Sequence, residues 1–117
     1  MPTLVEDITT ALQNGAKAGA TAASTAGRDL LHDIETFVVP HMEDIAIQVA
    51  SIIQKRNDGT FTDVTAKDLL DSEKDAIKVI IEAVTTLVVF EVQQILNAII
   101  DALTTAVNTA VGFALLV

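Results

Sequence analysis

Val92-Gln-Gln-Ile-Leu-Asn-Ala-Ile-Ile-Asp-Ala-Leu-Thr-Thr-Ala-Val107 is the stretch that decides the fold class. Its aliphatic residues recur at steps of three and four, which keeps them on one side of an α-helix. Ile95, Ile99, Leu103 and Val107 run down the centre of that side, and Val84 and Val88 lie on it upstream. The polar residues are confined to a narrow line: Glu82, Thr86, Gln93, Asn97, Asp101, Thr104 and Asn108. An ordinary surface helix has an apolar face little wider than ~100°. Here the proportion is reversed, so this helix needs cover on most sides.

Upstream, Ser72-Glu-Lys-Asp75 has the form of a helix cap followed three residues later by an acid. The pattern therefore predicts one long apolar helix over about 72–116, at 1.5 Å of rise per residue. The N-terminal third has its own period. Leu4, Ile8, Leu12, Gly15, Gly19, Ala23, Ala26, Leu30, Ile34 and Phe37 fall at steps of four, four and three. This eleven-residue repeat holds one stripe on one side of a nearly straight helix, predicted over about 3–38. Within it Gly15, Gly19, Ala23 and Gly27 stand four apart. Small residues at that spacing let two helix backbones approach closely, although each glycine costs a helix about 1 kcal/mol relative to alanine.

Pro40 ends the first pattern and suits the first turn of a second helix, expected over about 40–56 with Lys55 and Arg56 at its negative end. Asn57-Asp58-Gly59-Thr60 is a turn signal. The region 57–71 reads as polar connection, with one short helical turn at 65–71. The expected architecture is all-α, an elongated helical bundle or hairpin in a single domain spanning 1–117.

Half of the 117 residues are hydrophobic, but Trp, Tyr and Cys are absent and four Phe are the only aromatics. Stacking platforms and interfacial belts use Trp and Tyr, so their absence argues against both. The net charge of −9, with only seven basic residues, opposes nucleic-acid binding, whose affinity comes from neutralising phosphates. Without cysteine there are no disulfides or thiolate metal sites. No basic segment followed by an apolar run opens the chain, so no secretory signal is read and cytoplasmic synthesis is assumed.

The sequence carries no chemistry that points to an enzyme. His32 and Glu35 can share a helix face, but a di-metal bundle needs a second such pair and further acids. His41 lies beyond the expected break at Pro40. Aligning Gly59 and Phe61 with the turn of a calcium loop puts Gln54, Arg56 and Thr65 at ligand positions, and an arginine there excludes a hard cation. No base stands beside the many threonines in the pattern, and no glycine loop cradles phosphate. No metal or cofactor is expected.

Three functions remain. The first is a non-enzymatic structural protein that forms a homo-oligomer, filament or shell. Its assembly surface would combine the groove of Gly15, Gly19, Ala23 and Gly27 with the apolar face of Val84, Val88, Ile95, Ile99, Leu103 and Val107. The second is a lipid-binding or pore-forming protein that inserts its C-terminal helix. Against it, Glu82, Glu91 and Asp101 interrupt that helix, and each costs about 3 kcal/mol near a bilayer centre. The third is a carrier with an aliphatic cavity between helices.

Overall fold

The computed structural model describes residues 3–24, 29–112 and 115–116. These residues form five helices: α1 (Leu4–Ala23), α2 (Leu31–Phe37), α3 (Val39–Asn57), α4 (Asp63–Glu82) and α5 (Val89–Val111). The all-α reading therefore stands, but neither long helix is continuous.

The first break follows Ala23. Ser24 is extended (φ −66°, ψ 138°), and its hydroxyl donates to the Ala20 carbonyl and accepts from the Leu30 backbone N–H. A serine that offers the backbone such an alternative, in a stretch rich in Ser, Thr and Gly, favours an end over continuation. The predicted span 3–38 is thus replaced by α1 and a short α2. Gly27 lies outside the described residues.

The second break replaces the predicted helix 72–116. Five of the six residues from Val84 to Val89 are β-branched, the residues that lose most χ1 freedom in a helix. Residues 83–88 form turns, with Val84 N–H donating to the Ile81 carbonyl and Leu87 N–H to the Val84 carbonyl. Helix α5 then restarts under Glu91, whose carboxylate accepts the Val88 backbone N–H at 2.9 Å. Glu91 is buried. Its charge sits at the positive end of the helix and satisfies a donor that helix geometry leaves without a partner.

The cap of α4 also lies elsewhere than expected. Thr62 accepts the Thr65 N–H and opens the helix at Asp63, while Ser72 sits mid-helix and donates back to the Asp68 carbonyl. The region expected as polar connection is therefore mostly helix, and the true α3–α4 connection is short. There Gly59 takes the left-handed conformation (φ 87°) that side chains disfavour. Asp58 accepts both the backbone N–H and the hydroxyl of Thr60. Arg56 pairs with Asp63 at 2.7 Å, and Lys55 lies over the Phe61 ring.

Helix α1 packs most extensively on α5 and has α3 on its other side, and α4 closes the ring against α3 and α5. Gly15 lies against Ile99 and Ala102, and Gly19 against Ile95, so α1 and α5 run antiparallel. Gln13 reaches the Val39 carbonyl and ties α1 to the start of α3. The molecule measures 50 × 29 × 20 Å. Four helices of about 20 residues, each about 30 Å long, explain why it is shorter than the predicted rod. Beyond α5, Gly112 turns the chain in the left-handed conformation (φ 86°). The Asn108 amide then brackets Leu116, donating to its carbonyl and accepting its N–H, both at 2.9 Å. Leu115 and Leu116 are buried.

Candidate assembly interface

The sequence predicted two sticky surfaces, and the fold brings them against each other. A methyl group added at Gly15 would stand 2.9 Å from the Ala102 Cβ and 3.3 Å from the Ile99 Cα. At Gly19 it would stand 2.9 Å from the Ile95 Cα and 3.0 Å from the Ala98 Cβ. Ordinary carbon contacts are ~3.5–4.0 Å, so these glycines exist where α5 leaves no room for a side chain. Ala23 is buried on the same side of α1. The facing residues on α5 are alanines at the same four-residue step: Ala98, Ala102, Ala106 and Ala110. That second small-residue ladder was legible in the sequence and was overlooked, because alanine reads first as a helix former.

The apolar stripe of α5 is likewise covered from within. Ile95, Ile99, Leu103 and Val107 are fully buried and Val84 nearly so. Removing each of these side chains from water is worth about 1.5–3 kcal/mol, and the chain obtains that from its own α1, α3 and α4. The cover that the sequence shows this helix to need is thus supplied within the chain. Among the described residues of the proposed assembly surface, Val88 is the exception, because it caps α5 and stands exposed. The outer edge of the α1–α5 seam remains an open groove, with Ala11, Gly15, Ala18, Ala102 and Ala106 as its floor.

Exposed apolar surface gathers at a different place, around the α4–α5 connection. Val89 is 87% exposed, Val79 67%, Phe90 60%, Val88 56% and Phe37 54%. Phe37 from the end of α2 shares clefts with Val79, Ile80, Ala83 and Val84. The connection is tied to α2 by a hydrogen bond from the Thr86 hydroxyl to the Asp33 carboxylate. Beside it, Lys78, Glu82, Leu87, Val89, Val92, Gln93 and Leu96 line an open cleft of about 370 Å³ between α4 and α5. These five residues keep between 54% and 87% of their surfaces in water. The sequence signal for this patch was Ala83–Phe90, eight residues without a charge. Periodicity assigned them to a helix and so hid them.

Among the described residues, no three His, Asp or Glu side chains converge as metal ligands would. His32 lies on α2 and His41 on α3, both exposed. The Asp58 carboxyl is held below the ordinary carboxylate value by the hydrogen bonds from Thr60, which occupy it within the turn. Burial alone would raise the Asp71 carboxyl, but its ion pairs with Lys67 and Lys74 bring it below the usual value. Glu73, on the same helix, is raised by partial burial.

No single helix among the described residues is long and apolar enough to cross a membrane. Helices α2 and α3 pass that test only as a pair bent by 51°, and their apolar residues Ile34, Val38, Met42, Val49 and Ile53 are in the core. Comparison of the chain with protein-family models, with curated proteins and with solved structures found no match.

Proposed function

We propose that this chain is a non-enzymatic structural protein that assembles with itself, and that the apolar end around the α4–α5 connection is the assembly surface. The observation that carries the reading is the exposure of Phe37, Val79, Val88, Val89 and Phe90 around the α4–α5 connection; the other exposed large hydrophobics among the described residues are Val64 and Leu69 in the first half of α4 and Ile47 on α3. Taking the side chains around the connection out of water favours association. The net charge of −9 limits further growth by repulsion between finished assemblies.

A lipid surface is the rival occupant, favoured by the two exposed phenylalanines. The acidic charge opposes binding to anionic headgroups, and no Trp or Tyr is present to settle at the interface. Light scattering after size exclusion, with and without zwitterionic liposomes, separates the two. A defined oligomer that ignores liposomes supports assembly. A monomer that moves onto liposomes, and that loses this ability as Val89→Glu with its helicity intact, replaces assembly with lipid binding.

A further inference from the structure

We propose that two copies meet through a two-fold contact at the cleft between α4 and α5, each placing Val89 against the other's apolar cleft floor and each facing its Lys78 to the other's Glu82. The inference rests on the self-assembly reading and names the geometry of its first contact. Lys78 and Glu82 are one turn apart on α4, so they lie on the same face. Both line the cleft and both are exposed. Among the described residues neither takes part in an ion pair, whereas Lys67, Lys74 and Arg56 each hold a carboxylate nearby.

A two-fold axis passing between Lys78 and Glu82 reverses α4 on itself. It brings the positive charge of each copy opposite the negative charge of the other, which is the self-complementarity a closed dimer requires. The apolar floor is supplied by Leu87 and Val92, only partly covered within one copy, with buried Leu96 at its base. Val89 stands at the rim with most of its surface in water. The rim charges then fix register while the apolar contact supplies affinity. A heterologous contact between this cleft and an unrelated face would gain nothing from the Lys78–Glu82 spacing.

The test uses charge reversal on the full chain, read by sedimentation equilibrium with circular dichroism as a check on folding. Lys78→Glu leaves two acids in each cleft, and Glu82→Lys leaves two lysines. Each variant alone should dimerise at least about 10-fold more weakly than the wild type, because both symmetry-related pairs become repulsive. An equimolar mixture of the two variants should recover dimers, because every acid then faces a lysine. Recovery in the mixture is the outcome that only this geometry gives. Wild-type dimers that persist unchanged in both single variants would overturn the two-fold cleft and leave assembly through another surface. A wild type that is monomeric throughout would overturn the assembly reading itself.

Discussion

Gly19→Leu is the substitution on which the fold's argument bears most heavily. Even the first carbon of the new side chain would lie 2.9 Å from the Ile95 Cα, a backbone atom that no rotamer change can move aside. Restoring an ordinary contact of ~3.5–4.0 Å requires α1 and α5 to separate by more than half an ångström. That separation loosens the packing along a seam that also includes Gly15, Ala98 and Ala102. Overpacking of this kind costs about 1–3 kcal/mol, with more expected for a side chain as large as leucine. Replacing a helical glycine returns up to about 1 kcal/mol in propensity.

The balance is a loss of about 2–3 kcal/mol, a large part of the 5–15 kcal/mol typical of a domain. Gly19→Ala meets the same close approach with a smaller group, and its net loss should be about 1 kcal/mol. Urea unfolding followed by circular dichroism measures both, with constant m-values showing that only stability has changed. Gly15→Ala adds a cycle. Its nearest neighbour is the Ala102 Cβ at 2.9 Å, so Ala102→Gly should relieve part of the loss and reveal a coupling of at least about 0.5 kcal/mol. If Gly19→Ala instead stabilises the protein by the full propensity gain, α1 and α5 are not in contact as described.

Three further predictions test the ends and charges of the helices. Asn108→Ala removes both hydrogen bonds to Leu116 and leaves buried backbone groups without partners, which should cost about 1–3 kcal/mol in urea unfolding. Loss of slow hydrogen exchange at the Leu116 amide should accompany it. Glu91→Ala removes the cap of α5 and should lower stability by about 1–2 kcal/mol, whereas a neutral effect would contradict the cap. Asp71 and Glu73 should respond oppositely to pH. The Asp71 carboxyl is lowered in the folded state, so its contribution is present above the unfolded value of about 3.9 and fades as pH falls through the folded value. The Glu73 carboxyl is raised, so its contribution is greatest below the unfolded value of about 4.3 and is lost as pH rises through the folded value. Glu73→Gln should therefore raise Tm slightly at pH 7 and Asp71→Asn lower it, with both differences vanishing near pH 2.

Helical class was legible because the three-and-four spacing is strong in the N-terminal third and in the C-terminal helix, though not in residues 57–71, where α4 begins. The start of α3 at Pro40 and the turn at Asn57–Thr60 were legible from residues with fixed backbone preferences. The breaks at Ser24 and at residues 83–88 were not, because the apolar stripes continue in phase across both. Weak local preferences of serine, threonine and valine decided those breaks, helped by caps that form only in three dimensions. Glu91 shows the difficulty: in sequence it interrupts an apolar run, while in the structure it is the residue that lets α5 begin. The small-residue groove was legible as a place of close approach. Which helix fills it was not, since a stripe of glycine and alanine looks the same whether its partner lies in the same chain or another. Covering α5 from within then moved the exposed apolar surface to a connection that periodicity had drawn as helix.

The most direct test of the central claim is the molar mass of the wild type and of Val89→Glu, by light scattering after size exclusion. Assembly through the α4–α5 end predicts a defined oligomer for the wild type and a monomer with unchanged helicity for the variant. A wild-type monomer, or an oligomer that the variant leaves intact, would contradict it.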